Sequence, residues 1–221
     1  MTKITERGMI FNAEMVRAIL DGRKTQTRRV VKFKLREPGL NLNFSGLKLG
    51  HYRTGDSSSG YVLASRGAMG CWNDKTFPAH CPYGQPGDRI WVRETFGDCG
   101  ERLVYRADID DGAKCKVERW TPSIHMPRWA SRILLEITDV RVERLNSISE
   151  EDARAEGVPP AGDLLPDYPD TYLTPAGDFA TAKVAFHRLW QSIYGDDSWP
   201  ANSWVWVIEF KRIEGDDHAT D

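Results

Sequence analysis

Neither sign of charge dominates this 221-residue chain: 30 Lys and Arg against 32 Asp and Glu leave a net charge of −2. That balance excludes a polycation built to coat nucleic acid, so any such contact must come from a local patch. Long apolar runs are missing as well. No stretch approaches the ~18 residues of a membrane span, and "MTKITERGMIF" lacks the apolar core of a signal peptide. The expectation is a cytoplasmic protein with no membrane partner. Cysteine is scarce: Cys71, Cys81, Cys99 and Cys115 show no CxxC spacing. In the cytoplasm these are expected as free thiols rather than disulfides. A zinc set of Cys71, His80, Cys81 and Cys99 fits no usual ligand spacing, and adjacent residues such as His80 and Cys81 rarely reach one metal. No metal and no cofactor is therefore expected. A Gly-rich phosphate loop, an HExxH and a Ser elbow are also lacking.

What is present suggests a mixed order of helices and strands. Asn12 suits an N-cap, and Met15, Val16, Ile19 and Leu20 follow at helical spacing. Gly22 suits the left-handed residue that ends a helix. "RRVVKFKL" is then expected as a strand. Residues 36–80, rich in Gly, Ser and Asn, are expected as a long insertion, partly ordered at best. "GQPGD" signals a turn that launches the strand "RIWVRETF", with "ERLVYRAD" as its expected partner. "RILLEITDVRVERL" is apolar on both faces at its start, as in a central strand.

Ser149, Asp152 and Gly157 frame a short capped helix. A five-proline loop covers roughly 158–177. "ATAKVAFHRLWQSIYG" is an amphipathic helix, and "SWVWVIEFKRI" a strand with Trp204, Trp206, Ile208 and Phe210 on one face and Val205 and Val207 on the other. The expected class is α+β: one domain over 1–213, a small curled sheet or barrel flanked by about three helices, and an acidic tail at 214–221.

The stretch "GRKTQTRR", Gly22 to Arg29, concentrates cations beside hydroxyl groups where a helix hands over to a strand. Standing alone, such a stretch reads as a solvated basic turn. Its pattern Gly22-x-Lys24-Thr25-x-x-x-Arg29 resembles the signature of the ASCH domain, a PUA-like barrel family. "PGDRIWV", "ILLEITDVRVERL", "SEEDARAEGV" and "WVWVIEFK" resemble further pieces of that family, in its order. "CPYGQPGDRIWVRETF" and "PSIHMPRWASRI" look like its longer bacterial and phage versions. The resemblance covers about the first 35 residues and most of 83–157 and 178–212, leaving the two insertions outside it.

One branch of the family hydrolyses the acyl amide of N(4)-acetylcytidine. Its reactive Lys, Thr and Glu match Lys24, Thr27 and Glu156 here. The resemblance thus implies an amidohydrolase acting on N(4)-acylated cytosine or cytidine, with Thr27 as nucleophile, Lys24 as base and Glu156 as acid. A hydroxyl needs a base to become a nucleophile. A lysine serves only when neutral, which burial and Arg23, Arg28 and Arg29 would favour. Arg23, Thr25 and Arg29 are the expected substrate-binding residues. Arg128 and Trp129, in the Arg/Trp-rich loop "RWTPSIHMPRWASR", are expected to join them over the barrel mouth. The alternative partner is RNA or single-stranded nucleic acid, gripped by the same arginines and stacked on the tryptophans. Ribonuclease activity is a third class. Residues three apart on a regular strand face opposite sides, so Lys24 and Thr27 converge only where the chain bends.

Overall fold

The computed structural model describes residues 4–31, 77–108 and 117–213, together with the strand backbone at 52–53, 61–64 and 71–73. The chain begins with β1 (Glu6–Ile10), α1 (Ala13–Leu20) and β2 (Gln26–Val30). Three short strands follow: β3 (Tyr52–Arg53), β4 (Tyr61–Ala64) and β5 (Cys71–Asn73). Then come β6 (Arg89–Arg93), β7 (Phe96–Asp98), β8 (Leu103–Tyr105), β9 (Trp120–Thr121) and the long β10 (Leu134–Arg144). The last part holds α2 (Glu150–Ala155), β11 (Tyr172–Leu173), β12 (Phe179–Ala180), α3 (Ala182–Tyr194) and β13 (Trp204–Arg212). The class is α+β, as expected.

The main sheet has five strands in the order β1-β6-β10-β13-β2. β1 runs parallel to β6, and the other neighbours are antiparallel. β10 is central: Leu134 and Leu135, adjacent and so on opposite faces, are both buried. β13 divides its residues as alternation predicts. Trp204, Trp206, Ile208 and Phe210 join the core under α1, while Val205 and Val207 join a second core with α2 and α3. The sheet is thus packed on both faces along β13.

Among the described residues the edge strands β1 and β2 share no ladder, so the sheet is open there. The Arg29 side chain reaches across the gap: its Nη2 donates to the Ile10 carbonyl at 2.7 Å, and its guanidinium lies 5.3 Å from the Phe11 ring centroid.

Helix ends follow local chemistry. Asn12 accepts from Met15 N at 2.8 Å, and Gly22 takes φ +74° beyond α1. Ser149 Oγ accepts from Asp152 N at 3.0 Å, and Gly157 at φ +85° ends α2. The start of α3 is capped from outside: Glu150, on α2, accepts from Thr181 Oγ1 at 2.9 Å and Lys183 N at 3.0 Å.

Several expectations change. β1 carries mostly exposed residues and gives no alternating signal. "RIWVRETF" breaks at Glu94 into β6 and β7, and β8 pairs with β7 rather than with β6. The 36–80 insertion contains the three-stranded sheet β3-β4-β5. The proline-rich loop packs Val158 and Tyr172 into the α3 core. Cys99 is not a free thiol but disulfide-bonded. It sits at the turn between β7 and β8, where folding sets thiol proximity in a way that spacing does not reveal. Cys81 is free and buried. Cys115, residues 32–35 of the expected strand after Gly22 and the 214–221 tail lie outside the described residues. No helix among those residues is long and apolar enough to cross a membrane.

Replacing exposed Glu150 with alanine should cost on the order of 1 kcal/mol by uncapping α3. Differential scanning calorimetry should show Tm lower by about 2–4 °C for a chain of this length. An unchanged Tm would count against this cap.

Candidate active site

The stretch from Arg23 to Arg28 meets the C-terminal end of α2. A helix leaves its last carbonyls without partners inside the helix. Here the carbonyls at and just beyond that end are met from the 23–26 stretch, and Asp152 O gains a second donor beside Glu156 N. Arg23 Nη1 donates to Gly157 O at 3.1 Å, Lys24 Nζ to Glu156 O at 2.8 Å, and Gln26 Nε2 to Asp152 O at 2.8 Å. Thr25 N donates to Ala155 O at 2.9 Å, and Thr25 O accepts from Phe210 N at 2.8 Å. Thr25 is therefore where the chain switches partners: Lys24 bridges Glu156, and from Gln26 on the chain pairs with β13. Gly157 lets the elements approach. A Cβ there would lie 2.8 Å from the Lys24 Cβ and 2.9 Å from the Ala18 Cβ.

Around this junction lies a buried charge cluster. Lys24, Arg28 and Glu156 are all at most 5% exposed. Both oxygens of Glu156 are taken: Oε2 by Lys24 Nζ at 2.9 Å and Oε1 by Arg28 Nη1 at 3.0 Å. Arg28 Nη2 also donates to Asp152 Oδ2 at 3.0 Å and Glu143 Oε2 at 3.2 Å. Arg141 closes the network on Asp152, Glu143 and Glu209.

Burial holds the Lys24 ammonium below its ordinary pKa. Its pairing with Glu156 works the other way, while nearby Arg29 and Arg28 add to the lowering. The Asp152 carboxyl is held down by Arg28 and Arg141, against the upward push of its own desolvation.

Two adjoining cavities open on the cluster. The first, about 180 Å³, is lined by Lys24, Thr27, Arg28, Arg29 and Glu156 on one side and by α3 residues on the other. The second, about 310 Å³, is lined by Arg17, Asp21, Arg23, Glu156 and Thr174 among others. They share Asn12, Met15, Glu156 and Leu189.

Thr27 is 2% exposed, and its hydroxyl makes no hydrogen bond among the described residues. The Nε atoms of Arg28 and Arg29 are likewise buried without a partner. An unpaired buried donor costs about 1–3 kcal/mol. Two such atoms on residues that line one cavity, beside the unbonded Thr27 hydroxyl, mark a place where a ligand would complete the bonding.

The expected site residues divide. Lys24, Thr27, Glu156 and Arg29 share the first cavity, although no hydrogen bond joins Thr27 to Lys24 or Glu156. Arg23 lines the second. Thr25 exposes its side chain, lines neither cavity, and serves through its backbone.

Arg128 and Trp129 do not join the site. Arg128 pairs with Glu6 at the far end of β1 from Ile10, about 13 Å away at the rise of a strand. Trp129 is 67% exposed. Their loop is tied to the body elsewhere: Arg132 binds buried Glu94 and Asp108 and lies 4.0 Å from the Tyr105 ring centroid. Arg28 is the residue whose role sequence reasoning understated. Only its position two before Val30, on the strand face that packs toward α3, distinguishes it from Arg29.

Two outcomes test this geometry. Gly157→Ala should destabilise by about 2 kcal/mol or more, because left-handed backbone strain adds to contacts too close for a Cβ. Gly195→Ala, at φ +89° with open space around it, should lose only the backbone part. Equal urea midpoints for the two variants would contradict the close approach. Because burial lowers the folded-state pKa of Lys24, the unfolded chain binds the extra proton between that value and the ordinary 10.5. Stability should therefore rise with pH across that window, and Lys24→Met should flatten the rise.

No family model, curated protein or solved structure matches the chain.

Proposed function

We propose that the protein is an amidohydrolase of the ASCH, PUA-like type. It cleaves the acyl amide of N(4)-acylated cytosine or cytidine compounds, such as N(4)-acetylcytidine to cytidine and acetate. The observation that carries this reading is the buried Lys24–Glu156 pair on the cavity that also bears the unbonded Thr27 hydroxyl. The barrel belongs to the same proposal, supported by the β1 and β2 edges facing one another across the Arg29–Ile10 bond.

Transfer of one proton from Lys24 to Glu156 across 2.9 Å leaves a neutral amine and a carboxylic acid with no change in net charge. The amine takes the Thr27 proton as Oγ attacks the acyl carbon. The oxyanion is met by the Arg28 and Arg29 guanidinium groups. Collapse breaks the carbon–nitrogen bond, N4 takes the proton from Glu156, and the acyl group stays on Thr27 as an ester. Lys24 then returns its proton to Glu156, and the neutral amine deprotonates a water that attacks the ester. The ester C–O bond breaks as Thr27 Oγ takes the proton from Glu156, releasing the carboxylate with its acid proton passing to solvent.

The cavities suit this small substrate better than a nucleic-acid strand. Each is at or below the low end of the ~300–1,000 Å³ usual for drug-sized ligands. Arg28, which a nucleic-acid reading needs free, is buried and already engaged by three carboxylates.

Purified protein should hydrolyse N(4)-acetylcytidine, followed by ultraviolet absorbance. Thr27→Ala should abolish turnover with substrate Kd within a few-fold, and Lys24→Arg should lose about 10²–10⁴ in kcat/KM. Because the active pair carries one proton, shared by Lys24 and Glu156, kcat/KM should fall at high pH as that proton is lost, with a midpoint below the ordinary ~10.4. Full activity in Thr27→Ala would refute the reading.

A further inference from the structure

The two cavities differ in chemistry, and Glu156 stands where they join. Lys24, Thr27, Arg28 and Arg29 line only the smaller one. Arg17, Asp21, Arg23 and Thr174 line only the larger. If the reaction is the amide cleavage proposed above, on which this inference rests, the scissile bond has a direction. The acyl carbon lies at Thr27 and the leaving nitrogen at Glu156. The acyl group then extends into the smaller cavity, and the pyrimidine side into the larger, more polar one.

The smaller cavity is not shaped for acetyl. Facing the charged residues is a wall from α3 made of Phe186, Leu189, Trp190, Ile193 and Tyr194. Its polar atoms are the Trp190 Nε1, buried without an acceptor, and the Tyr194 hydroxyl. At ~30 Å³ of liquid volume per water, about 180 Å³ holds on the order of six waters. That is more than a two-carbon group displaces. Ile10, Ile193 and Tyr194 at the rim remain 41–44% exposed, which leaves apolar surface for a longer chain to cover.

We infer that the substrate's acyl group is an apolar chain longer than acetyl, seated against the α3 wall of the smaller cavity, with Leu189 and Ile193 setting its length.

Calorimetry on the full chain with acetate, butyrate and hexanoate tests the seat without requiring turnover. Affinity should tighten about fourfold per added methylene, the equivalent of ~0.8 kcal/mol per buried CH2. A flat or weakening series overturns the inference. Ile193 is partly exposed, so Ile193→Trp should fold. It should cut hexanoate affinity at least tenfold more than acetate affinity. An unchanged series in that variant would place the chain elsewhere and also overturn the inference. In parallel, kcat/KM should rise from N(4)-acetyl- through N(4)-butyryl- to N(4)-hexanoylcytidine. Hydrolysis that favours acetyl refutes the acyl assignment and leaves the amidohydrolase reading intact. Tightening carboxylates without hydrolysis of any member refutes the amidohydrolase reading and supports the apolar seat.

Discussion

The open carbonyls at the end of α2 govern the architecture around the site. Six residues are too few for a helix to hold itself in water, and α2 is held from outside. Thr25 and Lys24 donate to the carbonyls of Ala155 and Glu156, Arg23 to that of Gly157 just beyond, and Gln26 adds a second bond to the Asp152 carbonyl. Two of those donors are cations at the negative end of the helix dipole, where positive charge is stabilising. Glu156, the C-cap of α2, is thereby fixed against the entry to β2. Within the basic stretch, Arg23, Lys24 and Arg28 are thus engaged at the end of α2, and Arg29 bonds the Ile10 carbonyl of β1.

Fixing Glu156 in a dry place creates an electrostatic demand. A buried carboxylate is tolerated only when paired and hydrogen-bonded. Lys24 and Arg28 supply both, and Arg28 passes the load to Asp152 and Glu143 near the surface. A planar fork can hold two carboxylates at once, which a lysine's single ammonium does less well. Arg28 at this position therefore lets Lys24 keep a single carboxylate partner, Glu156.

The sequence made the caps legible because they are local. Asn12, Gly22, Ser149 and Gly157 act within a few residues of themselves, and each forms as its spacing implied. β10 and β13 were legible because burial on two faces, or strict alternation, is written along the strand. What stayed hidden depends on distant partners. β1 is made a strand by parallel pairing with β6 some 80 residues away, and nothing in its own pattern says so. Composition put Arg128 and Trp129 beside the site, since Arg and Trp together suit nucleobases. Their position is set by Glu6 and by the Glu94–Arg132–Asp108 cluster beneath the loop. Lys24, Thr27 and Glu156 were legible as a trio only through family resemblance. Their shared cavity arises from contacts between residues more than 120 apart.

The location of the cavity also resolves how residues three apart serve one site. On a strand in the middle of a sheet, Thr27 and Arg28 would be walled off from one another by neighbouring strands. β2 is an edge strand, and its free side faces the gap to β1. A cavity set against that edge touches both faces. Lys24 and Arg28 reach it from the side that carries α2, while Thr27 and Arg29 reach it from the side that carries α1. The switch of hydrogen-bond partners at Thr25 turns Lys24 toward Glu156 before strand alternation begins. The open edge is therefore part of the design of the site: pairing β2 with a further strand at these residues would cover the Thr27 hydroxyl and separate it from Lys24.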